Sequence, residues 1–344
     1  MSVSTLAAPR VEVDSARAAI AVLGRHADHS SAFLAMNDET RHFAVSAIDG
    51  FVAYRQARGH VIQLCGPFAP PDERTELVRA FHSWARSGGR RVTAVQLRRD
   101  DARAHVGEGF TVNQLGSSYS LDLESFDLRG KRFMKLRNKL KRSRRLGVSV
   151  EELDPAAASE PATARELARV DAAWLRAQGR LAREMTFMVG ERAGRGAPFR
   201  RLVAARHDGR ITAYVTYSPS FGNRPGWLCD LTRRHPISPP GAVELIIHAM
   251  IERLRGEGCR WLHLGLTPFA GLSPEHELAR GSSRMIARFG ELLYERGGAI
   301  YPAQAQEQFK LKWGPHVIEP EYVAFEGRPT LGAIWQLMRV TRAI

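Results

Sequence analysis

The sequence predicts an α/β (α+β) fold made of two similar halves in tandem, each a mixed sheet flanked by helices. Three observations lead to this prediction. Strand-like and helical segments alternate from Ala32 onward, the same order begins again at Val148, and a strongly basic segment, 130–147, lies between the two series. At 344 residues the chain is long enough for two domains with separate cores.

The predicted division of the chain follows from these segments. It comprises an N-terminal helical segment, an N-terminal domain, a basic connecting helix and a C-terminal domain, over residues 1–30, 31–126, 127–147 and 148–344 respectively. The first of these contains a short Ala-rich helix, Ser15–Leu23, that has no evident chemistry.

In the first half, short apolar runs between Asn, Asp and Gly turns predict strands, and longer runs with helical apolar spacing predict helices. The predicted strands are 33–36, 42–48, 51–56, 60–66, 91–97 and 110–123. A helix over Pro71–Ser87 presents Leu77, Phe81 and Trp84 as its apolar stripe, and a shorter helix covers 100–106.

The second half repeats this alternation. Its predicted strands are 148–153, 201–206, 211–218, 227–231, 261–266 and 317–325. Its predicted helices are 163–178, 241–255, 283–296 and 331–342. In the first of these helices, Leu167, Val170 and Trp174 recur at the spacing of a buried face.

The basic segment 130–147 carries nine Lys or Arg residues and no Asp or Glu. Phe133, Leu136 and Leu140 recur at helical spacing, so one narrow face can pack while the rest stays cationic. These nine cations account for most of the net charge of +14. Such a surplus indicates nucleic acid, an anionic membrane surface or a phosphorylated substrate as partner. The alternative is a solvated helix face, although such faces usually mix Lys with Glu.

The cysteine content and the hydropathy indicate the cellular compartment. Cys65, Cys229 and Cys259 lie far apart without a CxxC pair, which argues against a disulfide framework or a zinc site and favours a reducing cytoplasm. The first residues lack the basic-then-apolar order of a signal peptide. No run approaches the roughly 18 apolar residues that cross a bilayer. The prediction is a cytoplasmic protein without a transmembrane segment, at most peripheral at the inner membrane face.

The densest group of unusual residues is Cys229–Ile246. An apolar strand runs into Asp230 and Arg233, and a proline-rich turn then opens a helix that carries Glu244. A carboxylate at the end of a buried strand is costly unless it is paired, and Arg233 is the predicted partner. A functional site and a salt bridge that fixes the strand are equally consistent with this stretch.

Two later stretches are weaker candidates. An apolar strand ends at Gly265 and Thr267, where a loop can approach a ligand closely, although a plain strand exit explains the pattern as well. In Glu307–Pro315, Lys310 and Lys312 alternate with apolar residues and would share one face of a strand. They would either bind a phosphate or an ester carbonyl, or simply be solvated, and the local pattern favours solvation.

Some familiar motifs are absent, or occur between the wrong secondary-structure elements. Arg253–Gly258 has the RxxGxG spacing of a pyrophosphate loop, but it closes a helix, whereas such a loop follows a strand and opens a helix. We predict a helix C-cap there. No GxSxG, P-loop or HExxH motif is present, and His26 and His29 lack further ligands, so surface histidines are predicted.

With these stretches in view, the chain resembles the C-terminal catalytic domain of the phosphatidylglycerol lysyltransferase family, which is similar to the Fem peptidyltransferases. The resemblance covers roughly Phe33 to Phe325, and the motifs come in the family's order. The family has Gly-Lys before a basic helix, a tryptophan-containing helix followed by Glu and Phe-x-x-Gly, DLMR with a later acid, LGMAPL and FKxKF. Their counterparts here are Gly130-Lys131, Trp174 with Glu184, Phe187 and Gly190, Asp230–Arg233 with Gly241 and Glu244, Leu264–Phe269, and Phe309–Trp313.

The resemblance implies two tandem GNAT-like (acetyltransferase-like) domains and a charged tRNA as aminoacyl donor, with no further cofactor and no metal. The catalytic residues that it implies are Asp230, Arg233, Glu244, Lys310 and Lys312. The implied substrate contacts are Glu184, Phe187, Gly265, Thr267 and Trp313. The implied contacts to tRNA phosphates are Lys131, Lys135, Arg137, Lys139, Lys141, Arg142, Arg144 and Arg145.

The chain also departs from the family. The family's GDP turn appears as Cys65–Pro67, its GEEA as Gly116–Tyr119 and its YNFxGL as Tyr301–Gln306, and the membrane portion of lipid-modifying members is absent. The expected acceptor is therefore an amine or hydroxyl of a small molecule. The alternatives are phosphatidylglycerol modified by a peripheral enzyme, an acyl-CoA-dependent GNAT N-acyltransferase, and a non-catalytic RNA-binding protein.

The expected mechanism is direct attack of the acceptor on the aminoacyl ester. Asp230 or Glu244 would take the proton of the nucleophile, and Lys312 with Lys310 or Arg233 would stabilise the oxyanion. A covalent intermediate is not expected, because no cysteine or serine stands beside a plausible histidine base.

Overall fold

A computed structural model describes residues 10–11, 15–178, 185–299 and 301–342, in which twelve strands form one sheet. The strands are β1 Arg10–Val11, β2 Arg41–Val45, β3 Phe51–Ala57, β4 His60–Phe68, β5 Arg91–Leu97, β6 Phe110–Asp122, β7 Ser149–Leu153, β8 Arg201–His207, β9 Arg210–Ser220, β10 Gly226–Arg234, β11 Trp261–Pro268 and β12 Val317–Glu326. Their order in the sheet is β1-β2-β3-β4-β5-β12-β6-β11-β10-β9-β8-β7.

Helices cover both faces of this sheet. The α-helices are α1 Ala16–His26, α2 Arg74–Ser87, α3 Arg99–Gly107, α4 Met134–Arg145, α5 Pro155–Ser159, α6 Pro161–Ala177, α7 Ala242–Gly256, α8 Arg284–Arg296, α9 Ala303–Leu311 and α10 Leu331–Val340. Short 3-10 helices cover Ala32–Met36, Lys131–Phe133, Ala197–Phe199 and Gly297–Ala299. Both α2 and α10 contact β3 and β4, but they belong to different apolar clusters and therefore pack on opposite faces.

Each half contains one pair of adjacent parallel strands that a helix connects. In the N-terminal half these are β4 and β5, joined through α2, and in the C-terminal half they are β10 and β11, joined through α7. The other neighbouring strands are antiparallel. This repeat confirms the predicted α/β (α+β) fold of two tandem GNAT-like mixed sheets flanked by helices.

The two halves share one sheet because they exchange strands. β12, the last strand, lies between β5 and β6, where Ala324 pairs with Ala94 on one side and with Val112 on the other. β6 pairs along its remaining edge with β11. C-terminal residues therefore complete the N-terminal half of the sheet, while the division at residues 126 and 148 stays a prediction.

The basic segment forms a 3-10 turn followed by α4. Leu136 and Leu140 of this helix are buried in one apolar cluster with Ile247 and Ile251 of α7. Burial of such a side chain stabilises the packing by about 1.5–3 kcal/mol. The predicted helix with a narrow apolar face and a cationic remainder is confirmed by this packing.

One predicted strand, and one further stretch whose alternation was compatible with a strand, are helical in the structure. The residues at 33–36 belong to the 3-10 helix Ala32–Met36, whose five residues are all buried. A segment that is buried on every side shows no alternation from which its conformation can be predicted. Phe309–Leu311 form the end of α9, and Lys312 follows as its C-cap residue. The short alternation of Lys and apolar residues therefore suggested the periodicity of a strand where the chain is helical.

Candidate active site

The parallel strands β10 and β11 separate towards their C-terminal ends. They pair at three positions, the last of which joins Leu228 to His263, although both strands continue further. Irregularities between Cys229 and Leu231 and at Gly265, which has a φ of 75°, turn the strands apart. The opening between them is available to side chains from other elements.

Lys310, in the last turn of α9, occupies this opening. Its Nζ donates hydrogen bonds to the carbonyl oxygens of Gly265 at 2.9 Å and Leu266 at 2.8 Å. Burial lowers the pKa of Lys310 to about 7, against smaller opposing effects of Cys229 and Glu321. The expectation that Lys310 lies on a solvated strand face is wrong, because the helix end turns it inward.

A lysine with a pKa near 7 is present in both protonation states at neutral pH. The neutral amine can keep two N–H groups on β11 while its lone pair accepts a proton. The ammonium form has a third N–H that can stabilise a developing oxyanion. Lys310 can therefore accept or donate a proton beside a reacting ester.

Asp230 lies on β10 in a closed polar cluster. Its side chain is 1% exposed, it accepts hydrogen bonds from the hydroxyls of Thr216 (2.5 Å) and Ser218, and Arg200 Nε lies 3.4 Å away. Burial raises the pKa of Asp230, and Arg200 and the hydroxyls oppose this effect. The expectation that Arg233 pairs with Asp230 is wrong, because Arg200 takes that place.

Two further contacts flank this cluster. The backbone N–H of Gly190 donates to the backbone oxygen of Asp230 at 3.2 Å, and a Cβ at Gly190 would overlap the Asp230 carboxylate. Glycine is required here by the close approach. Arg233 lies over the ring of Trp174, 4.0 Å from its centroid, and 3.8 Å from Asp171. Arg233 therefore joins β10 to α6.

Glu244, in the first turn of α7, connects three helices. Its carboxylate accepts hydrogen bonds from Lys139 of α4 at 2.5 Å and from Lys312, after α9, at 2.7 Å. Burial opposes ionisation of Glu244, but Lys312 and Lys139 outweigh it and lower the pKa. Burial also lowers the pKa of Lys312, against the effect of Glu244. A carboxylate held between two ammonium groups is a weak base, so this geometry favours a linking role.

The predicted substrate contacts lie mostly inside the protein. Trp313 and Phe187 are fully buried, each within an apolar cluster. Gly265 supplies the carbonyl that Lys310 binds, and the buried hydroxyl of Thr267 has no hydrogen-bond partner among the described residues. Glu184 lies outside the residues that the structure describes. Phe187, Trp313 and Thr267 therefore offer almost no exposed surface to a substrate.

The predicted tRNA contacts lie on α4 and the turn before it. Two of them have structural partners: Lys139 binds Glu244, and Arg137 donates to the carbonyl oxygens of Leu128 and Gly130. The remaining cations are exposed and have no acidic side chain within 4 Å in the described part of the chain; they are Lys131, Lys135, Lys141, Arg142, Arg144 and Arg145. Through Lys139 this cationic face borders the Glu244 cluster.

A polar cavity at the junction of the halves had no signal in the sequence motifs. It has a volume of about 370 Å³, and its lining includes His29, Arg98, Ser120, His263 and Glu321. His29 Nε2 lies 3.6 Å from Glu321 Oε2, and both side chains are buried. The prediction of a surface histidine at position 29 is therefore wrong, since its burial depends on β12 from the far end of the chain.

The same cavity brings a serine beside a histidine, because Ser120 Oγ lies 2.8 Å from His263 Nδ1. The expectation that no cysteine or serine stands beside a plausible histidine base is therefore wrong for Ser120. Burial lowers the pKa of His263 to about 4, so its imidazole is a weak base for activating the Ser120 hydroxyl. The contact consequently gives no support to a covalent route.

The fold consists of two half-sheets, and each contains a pair of parallel strands that a helix connects. This arrangement defines the tandem acetyltransferase-like class, and in this protein a buried lysine lies in the opening of one pair. Within this class the chain belongs to the phosphatidylglycerol lysyltransferase C-terminal family, whose model matches residues 20–325. The resemblance inferred from the motifs is thereby confirmed.

Individual relatives agree with this assignment. The phosphatidylglycerol lysyltransferase of Staphylococcus aureus (strain COL) is 22% identical over 93% of this chain, and the chain spans 37% of that protein's length. The C-terminal domain of a putative lysylphosphatidylglycerol synthetase from Agrobacterium fabrum has a TM-score of 0.76 at 22% identity, covering 95% of this chain and 97% of that one. L-PGS from Bacillus licheniformis has a TM-score of 0.76 at 21% identity with the same coverage of 95% and 97%. The two structures establish the shared fold.

Proposed function

We propose that the chain is an aminoacyltransferase that moves an amino acid from charged tRNA to a hydroxyl group of phosphatidylglycerol. Membership of the family supports the reaction class. Relatives named for phosphatidylglycerol favour the lipid acceptor over the small molecule expected from the sequence departures. The observation that carries the proposal is the buried amine of Lys310, with a pKa of about 7, in the opening between β10 and β11.

The reaction is a transesterification. The acceptor hydroxyl oxygen attacks the carbonyl carbon of the aminoacyl ester, the bond from that carbon to the ribose oxygen breaks, and one proton passes from the acceptor to the ribose oxygen. Neutral Lys310 accepts this proton and returns it to the departing oxygen. Atoms and charges balance in this reaction. It needs neither ATP nor a redox cofactor, because the donor ester is already activated.

The other predicted catalytic residues receive positioning roles in this proposal. Asp230, expected as a proton acceptor, is already held by Ser218 and Arg200 and fixes the strand beside the opening. Glu244 is held by Lys312 and Lys139, so that it connects α9 to the cationic helix. The exposed cations of α4 bind tRNA phosphates, which carry the complementary charge.

An acyl-CoA donor is the competing possibility on the same fold. It would need an anion site at the start of α7, the helix that follows β10. Glu244 occupies the first turn of α7 with an ionised carboxylate, which disfavours a phosphate there. Arg253–Gly258 ends α7, with Gly258 at a φ of 73°, as expected for a helix C-cap. Both observations favour charged tRNA.

The acceptor lipid places the reaction at a membrane surface. Within the described residues, no helix combines the length and the apolar character that crossing a bilayer requires. We therefore propose peripheral contact with the inner face of the membrane, where a tRNA donor from the cytoplasm and the lipid acceptor can meet.

The test uses the full chain, vesicles that contain phosphatidylglycerol, and a tRNA pool charged with radiolabelled amino acids. Label is expected to move into the lipid extract, and the amino acid that moves identifies the donor. Lys310→Met should lower the rate by about 10²–10⁴-fold. Arg17→Met, which removes an exposed cation from α1, is the control that should not change it. If the label stays on tRNA, the proposed transferase activity is refuted. If the label moves only to a soluble acceptor, the lipid is refuted as the acceptor.

A further inference from the structure

The last described helix, α10, has two apolar faces. Its start is capped by Thr330, whose side-chain oxygen accepts a hydrogen bond from the backbone N–H of Ala333 at 3.1 Å. The inner face packs in the apolar cluster beside β3 and β4 through Ala333, Ile334, Leu337 and Val340. This packing fixes the helix on the sheet, so its opposite face points outward.

The outer face carries Leu331, Trp335 and Met338, which are spaced one helical turn apart and therefore form one stripe. Leu331 is 87% exposed and Trp335 is 55% exposed. Met338 is half-buried at the end of the stripe. A continuous apolar stripe in contact with water marks a surface that another apolar phase or molecule covers.

The charged side chains of the segment that carries this stripe are all basic. The segment Gly327–Ile344 contains Arg328, Arg339 and Arg342 and no Asp or Glu. Arg328 and Arg339 are exposed, and no acidic side chain lies within 4 Å of either in the described chain, whereas Arg342 pairs with Glu39 at 3.4 Å. Charges of a single sign beside an apolar stripe complement a surface that is both anionic and apolar.

We propose that α10 docks on an anionic lipid bilayer, with Leu331, Trp335 and Met338 at the level of the headgroups. An exposed tryptophan suits this interface, because its ring is apolar and its N–H is polar. A helix with an outward apolar stripe and flanking arginines lies in the plane of the interface, where the arginines meet lipid phosphates. A second copy of the chain is the other occupant that the test must exclude.

Hydrogen bonds connect α10 to the candidate active site. The backbone N–H of Thr186 donates to Thr341 O at 3.1 Å, and its hydroxyl donates to Val340 O at 3.4 Å. The same segment continues to Gly190, which donates to Asp230. The inference extends the proposed function and rests on it for its purpose, since a lipid-modifying chain needs a defined membrane contact.

The test measures vesicle binding by the full chain, by sedimentation and without tRNA. Vesicles consist of phosphatidylcholine alone or of phosphatidylcholine with phosphatidylglycerol. Leu331→Ser with Trp335→Ser should lower the partition coefficient on the anionic vesicles by at least about tenfold. The matched control, Ile237→Ser with Ile318→Ser, removes two exposed apolar side chains that lie outside α10, and it should change the partition coefficient by less than about twofold.

A charge variant and a fold check complete the test. Arg328→Glu with Arg339→Glu should abolish the preference for anionic vesicles. Helical content and unfolding temperature are compared for all variants, and Leu331→Ser alone replaces the double variant if that one misfolds.

Unchanged binding in the folded α10 variants would overturn the proposal, and it would assign any vesicle binding to the basic face of α4. A wild-type dimer that the double variant converts to a monomer would also overturn it, because a second copy would then cover α10. Vesicle binding that persists without transfer activity would refute the proposed function alone.

Discussion

The buried lysine of the candidate site makes a quantitative prediction about stability. The pKa of Lys310 is about 7 in the folded protein, against an ordinary value of 10.5. Between these two pH values the unfolded chain binds the proton that the folded protein has released, so stability rises with pH across this window. The cost of burying Lys310 is largest at low pH and amounts to about 4 kcal/mol at pH 7.

Lys310→Met keeps an unbranched side chain and removes the titrating group. The stability advantage of the variant over the wild type should shrink by about 1.4 kcal/mol for each pH unit between about 7.5 and 9. Loss of the two hydrogen bonds to β11 changes the free energy of unfolding of the variant by the same amount at every pH. It therefore does not affect the dependence of the stability difference on pH. Urea unfolding of both proteins at several pH values measures it, with Arg17→Met as the control whose difference from wild type should not vary with pH.

Catalysis should follow the same titration. If neutral Lys310 accepts the proton, kcat/KM of the wild type should rise with pH and level off above about 7. A stability difference that does not depend on pH would refute the lowered pKa of Lys310. Wild-type transfer rates in Lys310→Met would refute its role in proton transfer.

Three further predictions concern the surroundings of the site. Lys141→Glu with Arg142→Glu should weaken tRNA binding and lower the slope of log affinity against log salt by about 2, because two phosphate contacts are lost. Glu244→Gln should destabilise the fold by roughly 1–2 kcal/mol at neutral pH. Folding lowers the pKa of Glu244 from its ordinary value of 4.5, so this difference should begin to shrink below that pH and disappear only below the lowered pKa. Gly190→Ala should cost about 1–3 kcal/mol and reduce transfer, because its Cβ would overlap the Asp230 carboxylate.

Each of these has its own control. Arg17→Glu with Arg58→Glu makes the same charge change on α1 and in the turn between β3 and β4, and an equal loss of tRNA affinity would contradict a specific role for the basic helix. A difference between Glu244→Gln and wild type that persists at acidic pH would show that charge pairing is not its cause. Gly24→Ala introduces the same methyl group where no atom lies within 4 Å, and an equal destabilisation there would contradict the steric argument.

Local periodicity predicted those elements that bury one face only. Leu136 and Leu140 of α4 repeat at helical spacing and are buried as expected, because the rest of that helix is solvated. The pattern failed at Ala32–Met36, where every residue is buried. It also failed at Phe309–Trp313, which is too short to separate a strand period from the end of a helix.

The sequence suggested candidate site residues, but it did not predict the contacts that these residues make. Lys310 and Asp230 were identified by motif, yet their partners come from other elements: Gly265 on β11 for the lysine and Arg200, before β8, for the carboxylate. Spacing along the sequence favoured Arg233 as the partner, because only near neighbours are visible in a single sequence. The pairing of His29 with Glu321 depends on the insertion of β12, which no local pattern encodes.

The position of β12 also has a consequence for how the chain folds. Ala94 of β5 and Val112 of β6 both pair with Ala324, near the other end of the chain. Until β12 has been synthesised, β5 and β6 lack their shared neighbour, and each presents an open edge that can pair with other chains. Closing such a long loop slows folding, because its entropy is lost before the new strand contacts form. The central strands of the N-terminal half can therefore be completed only after β12 has been made.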